Sequence, residues 1–205
     1  MAEKEKIQEV PEGWEKSQVK ELCFLGRGRV ISEDEIVQNQ GIYPVFSSQS
    51  MNNGEMGRIN SFDFEGEYVT WTTDGAYAGT VFYRTDRFNC TNVCGTLKLK
   101  NPKYSHKLLA YTLLSQTKKH VSYIGNPKLM NGVMAEIQLI FPTDPNEQRA
   151  IASILSTCDE AIEKTDAKIE KRKRIKHGLM QDLFRYGIDE NGKMRSETTH
   201  RFKDS

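Results

Sequence analysis

The chain has 205 residues, 37% of them hydrophobic, which suffices for one ordinary core with an appendage or for two very small domains. Its 29 basic and 28 acidic residues leave a net charge of +1, which excludes the strongly cationic balance of a non-specific nucleic-acid coater. No run approaches the roughly 20 apolar residues that cross a bilayer, so no membrane role is expected.

Cys23, Cys90, Cys94 and Cys158 follow a charged amino terminus, MAEKEKIQEV, that lacks the apolar segment of a secretory signal. Free thiols and a cytoplasmic location are therefore expected. In chain order, a short strand is expected first at Tyr43 to Ser47. Gly66 to Thr73 (GEYVTWTT) and Gly79 to Arg84 (GTVFYR) are rich in β-branched and aromatic residues and flank Asp74-Gly75-Ala76-Tyr77-Ala78. That is the pattern of a β-hairpin with a polar tip. Further short strands are expected at Gly95 to Lys100 and Ala135 to Phe141. Between them, Ser105 to Gln116 carries Leu108, Leu109, Tyr111, Thr112 and Leu113 at mixed helical spacing. Residues 1–143 thus read as an α+β (mixed α/β) domain of modest helix content.

The sharpest boundary is Phe141-Pro142-Thr143-Asp144-Pro145, where two prolines bracket a helix-capping acid. Beyond it, Ile151, Leu155, Cys158, Ile162, Thr165, Ile169, Arg172, Lys176, Leu179 and Leu183 recur in alternating steps of four and three, a heptad seam. Residues 144–186 are expected to form one helix, roughly 60 Å long at 1.5 Å per residue. The alternative, a helix packed on its own domain, would overhang a body whose radius of gyration is roughly 14 Å. A partner helix is the better expectation, with Ile151, Leu155, Cys158, Ile162, Thr165, Ile169, Leu179 and Leu183 at the interface. Residues 187–205 read as a linker or disordered tail.

Catalytic signatures are missing. There is no GxxxxGK[ST] phosphate loop, and Gly26-Arg27-Gly28-Arg29 lacks the third glycine of a dinucleotide fingerprint and reads as a loop. Cys90 and Cys94 have a spacing zinc tolerates, but no second pair stands nearby, so buried or partly buried thiols are expected and no metal. The four histidines are scattered. Carboxylates cluster at Asp63-Phe64-Glu65-Gly66-Glu67, which would suit a metal-dependent nuclease, yet no lysine follows at the usual spacing; a solvated loop is the simpler reading. The run Lys171 to Lys176 reads first as a solvated helix face, with phosphate or partner contact as alternatives.

Three polar segments suit DNA instead. Ser47, Ser48, Gln49, Ser50, Asn52 and Asn53, followed by Arg58, offer amides that pair with adenine and a guanidinium that pairs with guanine. Thr72, Thr73, Asp74 and Tyr77 at the hairpin tip form the second, and Asn126 with Lys128 the third.

The helix sequence PNEQRAIASILSTCDEAIEKTDAKIEKRKRIKHGLMQDLF resembles the central helical region of type I restriction-modification specificity subunits. The Pro-x-Glu-Gln-x-x-Ile-x-x-Ile-Leu opening, the Asp-x-x-Ile middle and the Lys-x-Gly-Leu-Met-Gln-Asp-Leu close stand here in order. Pro11-Glu12-Gly13-Trp14 is similar to a typical domain opening in that family, and Thr73 to Val81 to a common recognition-domain segment. The family generally carries two tandem repeats whose long helices run antiparallel; this sequence holds one, which leaves a truncation and a natural half subunit both open.

The resemblance implies a target-recognition domain for double-stranded DNA and a spacer helix in an antiparallel coiled coil, with no catalysis by the chain itself. It implies as partners a DNA adenine methylation subunit, which would bind S-adenosylmethionine, and a restriction and motor subunit, for which ATP and Mg are expected. No cofactor is expected on this chain. A single repeat implies a homodimer, or pairing with a second half subunit, and in the former case a palindromic, interrupted target. Two readings from other classes remain: a scaffold with an oligomerising helix, and the compact nuclease.

Overall fold

The computed structural model describes residues 10–48 and 51–195. It divides into two compact units, Met1–Ser153 and Ile154–Ser205. The first unit opens with β1 (Trp14–Gln18), α1 (Val19–Leu22), β2 (Cys23–Arg27), α2 (Glu33–Gln38) and β3 (Gln40–Phe46). Six short strands follow: β4 (Glu55–Ile59), β5 (Phe64–Glu65), β6 (Tyr68–Thr72), β7 (Val81–Arg84), β8 (Arg87–Cys90) and β9 (Cys94–Leu99). Then come α3 (His106–Leu114), α4 (Asn131–Glu136), β10 (Gln138–Pro142) and α5 (Pro145–Tyr186), the last of which continues into the second unit.

Two four-stranded sheets, ordered β2-β9-β6-β7 and β4-β3-β8-β5, share this unit with the β1-β10 pair. All pairings are antiparallel except β3 with β8. The expected hairpin is β6-β7, in register through Trp71↔Val81. Val69, Thr70, Trp71 and Thr72 are all buried, so β6 is covered on both faces and reads as an unbroken run instead of an alternating one. Trp71 is fully enclosed, its indole N–H donating to the Leu129 carbonyl at 2.9 Å. Position 95 is glycine because a Cβ there would stand 2.2 Å from the Trp71 ring.

The expected helix is α3, begun by Ser105, whose hydroxyl accepts the Leu108 amide at 3.2 Å, and it buries Leu108, Leu109 and Leu113 in the larger core with Val69, Trp71 and Leu97. The strand expected from Ala135 starts later: Ala135 lies in α4, and β10 begins at Gln138. Alanine and glutamate favour the helix there, and β10 holds the apolar Leu139, Ile140 and Phe141.

Asp144 starts α5, its carboxylate accepting the Asn146 amide at 2.9 Å. The buried Gln148 then accepts from the Ser105 amide at 2.8 Å and donates to the Pro142 carbonyl at 2.7 Å. Trp14 Nε1 donates to Glu147 Oε1 at 3.0 Å, and Ala152 and Ile151 pack on the larger core. Ile151, expected at a partner interface, is therefore spent on its own domain; the heptad pattern continues into the helix's intramolecular footing, and periodicity alone does not distinguish the two.

In the second unit the helix ends at Tyr186 and is followed by Gly187, whose φ of +70° suits glycine and whose amide reaches the Leu183 carbonyl at 2.9 Å. Residues 187–195 of the expected tail form a closed turn. Asp189 N–H donates to the Lys193 carbonyl at 2.8 Å, Asp189 Oδ1 accepts the Asn191 and Lys193 amides at 2.9 Å, and Ile188 bridges Met194. Residues 196–205 lie outside the described residues. Among the described residues no helix is long and apolar enough to cross a membrane.

Candidate nucleic-acid interface

The strand registers bring three loops to one end of the two sheets. β2 ends at Arg27 opposite Gly95, β6 ends at Thr72 opposite Cys94, and β3 ends at Phe46 beside Cys90 and opposite Glu55. The chain therefore leaves the sheets at the same edge after Phe46, after Thr72 and after Cys90. The segments that follow are bonded to one another there. Thr91 N–H donates to the Phe46 carbonyl at 2.8 Å and its hydroxyl to Ser47 Oγ at 3.0 Å. On the other side of that turn, the Thr73 amide donates to the Val93 carbonyl at 2.9 Å.

Arg27 closes the cluster. Its Nε donates to the Asn92 carbonyl at 2.5 Å, and its Nη2 to Thr73 Oγ1 at 2.8 Å and Asp74 Oδ2 at 3.0 Å. A fourth segment, residues 121–130, joins through Gly75 N–H to the Pro127 carbonyl at 2.9 Å and Leu129 N–H to the Thr73 carbonyl at 2.8 Å. Ser122 and Lys128 pair within it as a short hairpin. Lys118 adds a further cation, donating to the Ala78 carbonyl at 3.0 Å.

Ser47, Ser48, Asn52, Asn53, Thr72, Thr73, Asp74, Tyr77, Asn126 and Lys128, taken from three separate stretches of sequence, thus share one end of the domain. Their exposures divide them. Asn52, Asn53, Tyr77, Asn126 and Lys128 are exposed, whereas Thr72 and Thr73 are at 1% and 0% exposure. The two threonines were expected to touch DNA; their side chains face inward, and Thr73 holds Arg27 and Asp74 in place.

Arg58 stands apart on β4 opposite Pro44, bound through Nε and Nη2 to Glu55 at 2.8 and 3.1 Å, and lines a groove with Ile42, Glu65, Asp86 and Arg87. Gln49 lies outside the described residues.

Sequence reading missed Arg27, Asn92, Tyr123 and Ile124 at this end. Arg27 lay in a glycine-flanked pair whose partners are 46 to 65 positions away, so no local signal marked it. Tyr123 and Ile124 are 67% and 95% exposed beside Asn126, and an exposed aromatic next to an exposed isoleucine was a signal within reach.

The remaining chemistry is dispersed. Asp63 pairs with Arg29 at 3.0 Å, Glu65 with Arg87 at 2.8 Å, and Glu67 accepts from the Tyr83 hydroxyl, so these carboxylates diverge, each to its own donor. Among the described residues no group of three or more His, Cys, Asp or Glu side chains could hold a metal ion. Cys90 and Cys94 are buried, and desolvation pushes the Cys94 thiol up to about 11. On α5, Leu155, Cys158, Ile162, Thr165, Ile169, Leu179 and Leu183 are exposed, Ile162 at 59%.

The family model described as "Type I restriction modification DNA specificity domain" matches residues 11–171. A Mycoplasma pneumoniae protein named as the N-terminus of a type I specificity subunit is 54% identical over 140 residues, 68% of this chain and 74% of that protein. The type I restriction enzyme MpnII specificity subunit of the same organism is 46% identical over 167 residues, 78% of this chain and 50% of its own length. Among solved structures, the type I restriction-modification S subunit from M. genitalium matches with a TM-score of 0.66 at 22% identity, covering 92% of this chain and 49% of that one. The HsdS subunit from Thermoanaerobacter tengcongensis matches at 0.60 and 15% identity, covering 89% and 47%. The chain spans about half the length of these solved structures and of the MpnII subunit.

Proposed function

Because this chain belongs to the type I restriction modification DNA specificity family, we propose that it reads one half of an interrupted duplex target and directs adenine methylation and restriction there by partner subunits. The observation that carries this reading is the meeting of four polar loop segments at one end of the sheets, with Asn52, Asn53, Tyr77, Asn126 and Lys128 exposed. Amides match the N6 and N7 edge of adenine, and lysine a phosphate. Asp74 and the buried Thr73, tied to Arg27, support that surface from behind.

The chain itself neither cuts nor methylates in this reading, and it works in the cytoplasm. A DNA adenine methylation subunit supplies S-adenosylmethionine chemistry, and a restriction and motor subunit supplies ATP- and Mg-dependent steps. The exposed seam of α5 pairs with a second copy or with another half subunit, since a row of exposed leucine and isoleucine is costly to leave in water. Two copies related by a two-fold axis read a palindrome with an unread gap.

Fluorescence anisotropy on the chain assembled with its methylation subunit tests the reading. The expected result is one duplex bound about a thousandfold or more tighter than random sequence, with affinity falling steeply as salt rises. Uniform, salt-independent binding would favour a scaffold, and cleavage by the chain alone with Mg would favour a nuclease.

A further inference from the structure

Arg84, the last residue of β7, is a cation with no place in the surface just described. It is only 4% exposed. Its guanidinium carbon stands 3.5 Å from the centre of the Phe46 ring and 4.3 Å from that of Phe82, so the group is faced by two aromatic rings. Nε reaches Thr70 Oγ1 at 3.3 Å, and Nη2 donates to the Asn53 carbonyl at 2.8 Å. The carboxylate acting on it, Glu55, is engaged by Arg58. Burial lowers the Arg84 pKa to about 10. A guanidinium withdrawn from water in this way is expensive to keep, and an apolar side chain would fill the space at less cost.

What Arg84 holds gives that cost a structural return. Asn52 and Asn53 have φ of +48° and +54°, and Gly54 has φ of +80°, three successive residues in the left-handed region. Asparagine tolerates that conformation better than other L residues, but a run of it does not persist unsupported. Among the described residues two bonds close the turn: Ser47 N–H to the Gly54 carbonyl at 2.9 Å, and Arg84 to the Asn53 carbonyl. Arg84 and Thr70 belong to the β2-β9-β6-β7 sheet, whereas Phe46 and the turn belong to the other, so this cation ties the turn across the two sheets.

We propose that Arg84 is a positioning residue for recognition: it fixes the left-handed Asn52-Asn53 turn so that both amides meet base edges as a rigid pair, setting base preference without touching DNA. The proposal rests on the DNA-reading function above.

Its test is to sequence the duplexes retained from a random pool by the chain assembled with its methylation subunit, for wild type, Arg84→Lys and Asn53→Gly. Glycine keeps the left-handed backbone and removes only the amide. In both variants, discrimination at the base position read by Asn53 should fall by roughly 10- to 100-fold, with Arg84→Lys also weakening the position read by Asn52, while affinity for random duplex stays within about twofold. Should Arg84→Lys not fold, Phe82→Leu, which opens one face of the aromatic pair, takes its place. Unchanged base preference, a uniform loss on all duplexes, or an Arg84→Lys variant that keeps the preference Asn53→Gly loses would overturn the proposal. A wild-type assembly that selects no sequence would sink the DNA-reading function itself, a separate result.

Discussion

Trp71 and Gly95 show how single residues hold the loop-bearing end of the sheets in place. The indole fills the space a Cβ at position 95 would need, and the same strand leads directly into Thr72, Thr73 and the hairpin tip. Gly95→Ala must push the ring or the strand aside, at a cost of about 2 kcal/mol in stability. Urea unfolding measures it; an unchanged midpoint would show that the Trp71 pocket gives way freely. Polarity made Thr72 and Thr73 legible as candidate contacts, but sequence carries no record of which way a side chain faces in a strand covered on both sides. Arg27 and Arg84 were illegible for a related reason: each does its work on residues dozens of positions away.

At the scale of elements, strong periodicity was readable and weak periodicity was not. The β6-β7 hairpin, α3 and the 42-residue α5 have long or clearly patterned signals. Strands such as β1 (WEKSQ) and β4 (EMGRI) carry charged residues and few β-branched ones, and their pairing comes from the tertiary fold. The seam of α5 supports a specific prediction. Its steps of four and three are symmetric about Ala167, so antiparallel pairing centred there sets Leu155 against Leu179 and Thr165 against Ile169. The same pairing faces Asp159, Glu160, Glu163 and Asp166 with the basic stretch from Lys168 to Lys176. Each isoleucine buried in such a seam stabilises it by roughly 1.5–3 kcal/mol. The double variant Ile162→Lys, Ile169→Lys should therefore weaken self-association at least about a thousandfold. Sedimentation equilibrium would show a monomer where wild type shows a dimer, and an unchanged mass would refute the pairing.

Across the whole first unit, strand ends assemble polar segments from residues near 27, 53, 75, 92 and 126 at one end of the sheets. Each segment read singly is an ordinary solvated loop, and only the sheet registers bring them together. In the proposed function the helix seam pairs two copies, and two copies of one reader would call for two copies of one half-site. The most direct test is to co-express the chain with its methylation subunit and map adenine methylation across host DNA. The account predicts methylation confined to an interrupted palindrome, one half-site per copy. Methylation without sequence preference, by a subunit shown to be active, would contradict it.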